Sequence, residues 1–211
     1  TAKWMAGKVS VPVAIHLDHG DSFERCMEML KLGFTSIMFD GSALPVEENA
    51  AATEAVVRVC RSFGVPLEAE IGELCRLDDR GNKIGASNIA DPDVVRQYLK
   101  LCHPDSLAIG IGNAHGFYNG PVDIRVEVLE ECRKFTDIPF VLHGCTGMDE
   151  ELVKRSIDSG VAKINFGTQV RCQYVNYLKE GLAEGKDQGH AWKLSQYAEL
   201  RLREDIKDII R

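Results

Sequence analysis

The chain has 211 residues, 45% of them hydrophobic, 27% charged and 7% aromatic, a globular composition that excludes disordered, collagen-like and disulfide-scaffold classes. A formal net charge of −7 and a pI near 5.4 argue against nucleic acid and anionic membrane surfaces as partners. The seven cysteines form an odd set without a C-x-x-C pair, no apolar run approaches the roughly 18 residues of a spanning helix, and Thr1-Ala2-Lys3-Trp4-Met5 lacks a signal-peptide layout; reduced thiols and a cytoplasmic location are therefore expected.

Short apolar runs alternate with longer amphipathic stretches almost from end to end. In chain order the pattern predicts a strand at 11–15, a helix over 22–32, a strand at 36–39, a helix over 46–63 and a strand at 66–71. A helix over 92–102, a strand at 106–111, a helix over 123–135, a strand at 139–142, a helix over 149–159 and a strand at 161–165 follow, and two helices over 168–182 and 192–210 close the series. Asp91-Pro92 supplies a cap and first-turn proline, while Gly33, Gly64 and Gly160 stand where helices should stop. Repeated βα units predict a parallel α/β sheet in a single domain over 1–211. Eight such units usually take about 250 residues. Six are visible, so a (β/α)8 TIM barrel would lack its first two units here, whereas an open doubly wound sheet would lack none.

The informative side chains fall at the carboxyl ends of strands, where parallel α/β folds bind ligands. The first strand runs into His16-Leu17-Asp18-His19-Gly20, the fourth into Asn113-Ala114-His115-Gly116, and the fifth into His143-Gly144-Cys145-Thr146-Gly147. One strand-end histidine is ordinarily just a hydrogen-bonded polar residue. Here four of the six histidines lie in three such segments. Imidazoles converging from separate strands with one coordination position open describe a catalytic zinc site, so His19, His115 and His143 are the expected metal ligands. His16 is read as a lining residue, and His103 and His190 as surface. Asp18 is the expected acid/base beside the metal, while Asp40 and Glu70, also at strand ends, would orient imidazoles or hold a second cation. Asp18 and His19 are neighbours, and an ideal strand would send them to opposite faces; their sharing a site requires the strand to be ending there. Gly144-Cys145-Thr146-Gly147 and Asn165-Phe166-Gly167-Thr168 each lead into a helix and offer backbone N–H groups suited to phosphate.

These segments resemble, in order and spacing, the class II metal-dependent fructose-bisphosphate and tagatose-bisphosphate aldolases. The resemblance rests on His16-Leu17-Asp18-His19-Gly20, Phe39-Asp40-Gly41-Ser42, Glu68-Ala69-Glu70-Ile71-Gly72, Gly112-Asn113-Ala114-His115-Gly116, His143-Gly144-x-x-Gly147 and Lys163-Ile164-Asn165. It implies a (β/α)8 barrel, zinc on His19, His115 and His143, proton exchange by Asp18 during C–C cleavage, and alternative metal positions near Asp40 and Glu70. It also implies that Gly116, Gly144, Cys145, Thr146, Asn165, Phe166, Gly167 and Thr168 surround a dihydroxyacetone phosphate portion, beside a monovalent cation (Na+ or K+). Cys145-Thr146 stand where the family has Gly or Ala then Ser, and Gln169 where it has an acidic residue. The segment 76–88 is individual to this chain and reads as a lid.

The expected function is reversible cleavage of a ketose 1,6-bisphosphate to dihydroxyacetone phosphate and glyceraldehyde 3-phosphate. A small sugar phosphate would be the partner, with a homo-oligomer expected and helix 197–211 offering a face to another chain. Rival readings are a Schiff-base aldolase using Lys163, a zinc hydrolase, and a non-catalytic sugar-phosphate-binding protein on the same scaffold.

Overall fold

In the computed structural model the described residues are 1–73, 89–116 and 123–211, together with the backbone of two short strands, β4 (Cys75–Leu77) and β5 (Lys83–Ile84). Most of the lid expected over 76–88 lies outside the described residues. A short helix α1 (Ala2–Ala6) precedes β1 (His16–Gly20), α2 (Phe23–Leu32), β2 (Ser36–Phe39), α3 (Val46–Ser62) and β3 (Leu67–Ile71). After β4 and β5 come α4 (Pro92–Leu101), β6 (Ser106–Ile109), β7 (Ala114–His115), α5 (Val126–Arg133), β8 (Phe140–Leu142), α6 (Glu150–Asp158), β9 (Val161–Ile164), α7 (Thr168–Ala183) and α8 (Ala191–Ile210).

Six strands form one parallel sheet in the order β1-β2-β3-β6-β8-β9. Each new strand joins on the same side as the last. A doubly wound sheet must reverse direction at a switch point, so this order favours a barrel-like wall. In a flat sheet, five inter-strand spacings would hold β1 and β9 about 24 Å apart. Instead Lys163 Nζ of β9 lies 3.2 Å from His16 Nε2 of β1, so the sheet is curled into a parallel half-barrel whose two edges meet across its concave face.

Polarity sorts the two faces. In β3, Leu67, Ala69 and Ile71 face the helices, while Glu68 and Glu70 take the opposite face. Leu107 and Ile109, then Phe140 and Leu142, continue the convex apolar face. Successive helices α2 to α6 touch one another and cover it. All five residues of β3 are buried, as expected for a sheet covered on both sides, yet the concave side is charged. The remaining two helices pair with each other as an α7–α8 hairpin, clamped by Tyr177 donating to Asp205 and by the Arg201–Glu180 ion pair.

The sequence expectation differs from the structure at the first strand. The apolar run 11–15 forms no strand, and Val11 is 64% exposed; pairing starts where the Ile15 carbonyl accepts from Thr35 and Ser36 N–H groups. The strand is the polar segment His16–Gly20 itself, because His16, Asp18 and His19 face a concave interior that selects hydrogen-bonding groups over apolar ones, and Leu17 alone packs in the apolar layer. A second sheet, β5-β4-β7, is an addition that periodicity does not reveal. Helix limits hold to within a few residues, with Ser22, Asp91 and Asp149 capping α2, α4 and α6. Among the described residues, six cysteines are free thiols, and no helix is long and apolar enough to cross a membrane.

Below the half-barrel, Arg133 fills the space between α5 and the starts of β8 and β9. It donates to the carbonyls of Thr136, Ile138, Ser159 and Gly160 and stacks over the Phe140 ring with 4.2 Å to the centroid. A lysine cannot reproduce this planar fork. Arg133→Lys should therefore lower stability by about 1–3 kcal/mol in urea denaturation while leaving divalent-metal binding unchanged.

Candidate metal centre

At β1, two residues, Asp18 and His19, stand opposite Met38 alone, since Leu17 pairs with Ile37 and Gly20 already pairs with Phe39. This is a β-bulge. His19 absorbs it with φ of 50° and donates its backbone N–H to Met38 Sδ at 3.3 Å. The bulge, rather than a strand end, turns both Asp18 and His19 to the concave side. Gly20 is required next, because a Cβ there would stand 2.5 Å from the Met38 carbonyl oxygen.

Asn113 connects the other two histidine segments: its amide donates to the His143 carbonyl at 2.7 Å, and its oxygen accepts from Ile111 N–H at 2.9 Å. Gly144, at φ +66°, lets the chain pass so close to β7 that a Cβ would meet the Ala114 oxygen at 2.4 Å. As a result the rings of His19, His115 and His143 lie edge to face, with centroids 4.8 to 6.0 Å apart. A nitrogen of each lies within 4.8 Å of the others, and one ligand atom each of His19, Asp40 and Glu70 forms a second group with the same spread. His19 Nδ1 is hydrogen-bonded to Asp40 Oδ2 at 2.7 Å, whereas its Nε2 and Glu70 Oε2 are buried and have no hydrogen-bond partner among the described residues. Orphaned lone pairs beside convergent imidazoles fit a divalent cation.

Asp18 is exposed and joins the cluster through Asn165, whose amide lies 3.2 Å from Asp18 Oδ1 and 3.2 Å from His143 Nδ1. The two Gly/Thr loops also meet. Gly167 caps α7 without a side chain, and Thr146 Oγ1 takes that role from the neighbouring loop, accepting from Gln169 N–H at 3.2 Å. Cys145 is buried, with its thiol turned to the carbonyls of Leu142 and His143 and pushed up to about 12 by burial, which leaves its backbone as the part able to meet a ligand. Gly144 and Thr146 are buried; Gly116, Asn165, Phe166, Gly167 and Thr168 are half-buried around the same mouth.

Two participants had no role assigned from sequence. Glu68, 2% exposed, accepts from His143 Nε2 at 2.8 Å and from Lys163 Nζ at 2.7 Å. Ser36 Oγ lies 2.8 Å from His16 Nδ1. Glu68 stood in the Glu68-Ala69-Glu70-Ile71-Gly72 segment, where alternation puts it on one strand face with Glu70, and Ser36 only began a predicted strand.

The carboxylates are driven apart electrostatically. Burial alone would raise Asp40, but hydrogen bonds from His19 and Ser42 prevail and hold it down at about 2. Glu70, 1% exposed, is pushed up to about 8 by burial and by the Asp40 charge. Burial would lower His19, yet the Asp40 hydrogen bond and surrounding carboxylates raise it. Burial and the Lys163 charge lower His16, which is therefore neutral at pH 7.

Known proteins resemble this chain over most of its length. A family model described as fructose-bisphosphate aldolase class-II matches residues 1–211. The fructose-bisphosphate aldolase of Geobacillus stearothermophilus is 40% identical over 83% of this chain and 61% of its own length. A 6-phospho-5-dehydro-2-deoxy-D-gluconate aldolase of Bacillus subtilis strain 168 is 36% identical over 85% of this chain and 61% of its own. The crystal structure of the YdjI aldolase from Escherichia coli K12 matches with a TM-score of 0.76 at 30% identity, covering 97% of this chain and 71% of that one. The chain spans about three fifths of the length of these two curated relatives. It belongs to the class II fructose-bisphosphate aldolase family.

Without metal, the site has a definite pH response. Asp40 adds stability above its unfolded pKa of about 3.9 and loses it as pH falls towards 2. Glu70 and His19, both raised, add stability below their unfolded values of about 4.3 and 6.5 and lose it as pH rises through their folded ones. Urea midpoints of the metal-free protein should therefore fall between pH 5 and 9, and Glu70→Gln should flatten most of that decline.

Proposed function

We propose that this family member reversibly cleaves a ketose 1,6-bisphosphate between C3 and C4, giving dihydroxyacetone phosphate and glyceraldehyde 3-phosphate. The observation that carries the reading is the trio of imidazole nitrogens gathered within 4.8 Å, with Asp18 linked to it through Asn165. His19, His115 and His143 would hold the metal. Three nitrogen donors suit Zn2+, with Asp40 and Glu70 at an adjoining position. When bound, the cation supplies positive charge to the substrate's ketone and hydroxyl oxygens and so favours the enediolate left by bond cleavage.

Asp18 takes the proton of the C4 hydroxyl. As the C3–C4 electron pair moves onto the three-carbon half, C4 becomes an aldehyde; a proton from solvent adds at C3 to complete dihydroxyacetone phosphate, and Asp18 returns its proton to solvent. Exposure lets Asp18 meet substrate arriving from solvent, and the Asn165 amide holds its carboxylate in place. Gly116, Gly144, Cys145, Thr146, Asn165, Phe166, Gly167 and Thr168 would surround the phosphate of that half, mainly through backbone N–H groups, with Na+ or K+ alongside. Thr146, by capping α7, keeps the two loops in register for this purpose.

The fold we assign to the working protein is a single (β/α)8 barrel domain, completed by two βα units ahead of β1 and assembled as a homo-oligomer. The unreversed strand order and the approach of β9 to β1 support the barrel. Lys163 speaks against a Schiff-base aldolase: its ammonium is paired with Glu68 at 2.7 Å, and an ammonium has no lone pair to attack a ketone. Similarity to the deoxygluconate aldolase supports a second reading, a monophosphorylated substrate with the same cleavage chemistry.

A coupled assay for triose phosphate, run on fructose bisphosphate, tagatose bisphosphate and the deoxygluconate substrate with and without chelator, tests these readings. Turnover of a bisphosphate that stops on chelation and returns with zinc is expected; activity surviving complete chelation would end the metal reading. Asp18→Ala should lower cleavage about 10²- to 10⁴-fold with metal retained, whereas His115→Ala should lower the bound metal measured by elemental analysis.

A further inference from the structure

We propose that Glu68, held in place by Lys163, is a positioning residue that fixes the His143 imidazole in the tautomer presenting Nδ1 to the metal site. The assignment rests on the divalent-metal reading above and adds to it a part-buried chain of contacts that reaches the ligand His143 from behind. Glu68 Oε1 lies 2.8 Å from His143 Nε2. Among the described residues it is the carboxylate in contact with that ring. Acceptance by Glu68 places the ring proton on Nε2 and leaves the lone pair on Nδ1; the Asn165 amide nitrogen lies against both ring nitrogens, 3.2 Å from Nδ1 and 3.5 Å from Nε2, and so is not aligned with that lone pair.

A carboxylate with one partner can pivot. Here the second oxygen is also claimed, by Lys163 Nζ at 2.7 Å. Lys163 is itself anchored, 3.2 Å from His16 Nε2, and His16 is held through Nδ1 by Ser36 Oγ at 2.8 Å. The chain Ser36–His16–Lys163–Glu68–His143 thus draws on β2, β1, β9, β3 and the end of β8. Its counterpart at His19 is Asp40, which engages Nδ1 and leaves Nε2. Two ligands of one site therefore present opposite ring nitrogens, each set by its own carboxylate. Such outer partners commonly change metal affinity about 10- to 100-fold.

The experiment measures zinc affinity by chelator competition in the purified wild type, Glu68→Gln, Lys163→Met and Lys163→Arg, together with long-range ¹H–¹⁵N spectra of the imidazoles in the metal-free wild type. Glutamine can face His143 with its oxygen only by turning its NH2 towards the Lys163 ammonium. Glu68→Gln should bind zinc about 10- to 100-fold more weakly, Lys163→Met should be weakened in the same direction, and Lys163→Arg should recover most of the loss. The spectra should show His143 protonated on Nε2. Affinity of Glu68→Gln within twofold of wild type, or a His143 proton on Nδ1, overturns the proposal; the spectra need no variant to fold. A wild type that binds no divalent metal fails both this assignment and the aldolase reading, whereas normal wild-type binding with an indifferent Glu68→Gln fails this assignment alone.

Discussion

The centre of the concave face, at Glu68, Glu70 and His143, is buried yet polar and charged, and the pairing of those groups constrains everything around it. Glu68 is nearly inaccessible. An uncompensated carboxylate there would cost several kcal/mol in lost hydration. Its two oxygens are satisfied only if β9 brings Lys163 and the end of β8 brings His143, and both arrive only if the sheet curls. Burial alone would raise the Glu68 pKa, but the bond to His143 and the Lys163 charge outweigh that effect, and the group ionises below its ordinary range. The convex face supplies stability through apolar burial. The concave polar network supplies specificity, since a flatter sheet would strand charged groups without partners.

Much of the convex face could be read from the sequence, because helical periodicity, capping residues and apolar strand runs are local signals. The limits of β2 and α4 show this, as does the cap at Asp91. The three His-Gly segments were legible for a related reason: histidine followed by glycine at a strand end combines a ligating side chain with backbone that can be approached closely. Gly20 and Gly144 both prove to sit against a neighbouring carbonyl.

Two features were not legible. Glu68 and Lys163 are separated by 95 residues, and nothing local to either names the other; only the curl of the sheet does. The first strand misled for the opposite reason. Its neighbouring run 11–15 carries the apolar residues that a strand signal rewards, whereas the true strand carries two histidines and an aspartate suited to the concave face. Hydrophobic pattern detects which residues leave water for an apolar layer. It is silent about residues that leave water for one another.

The bulge in β1 joins these two lessons. Holding a histidine at positive φ is unfavourable for a residue with a side chain, by about 1–3 kcal/mol, and an unbulged strand would avoid that cost. It would also direct Asp18 and His19 to opposite faces, sending one of them into the apolar layer under α2. With the extra residue, Leu17 keeps its place in that layer while Asp18 and His19 both turn inward, to Asn165 and to Asp40. The strain is held in place by surrounding contacts: the Met38 sulfur on the His19 backbone, the Asp40 carboxylate on its ring, and a glycine directly after it. A proton acceptor and a metal ligand can then be consecutive in sequence and still serve one site.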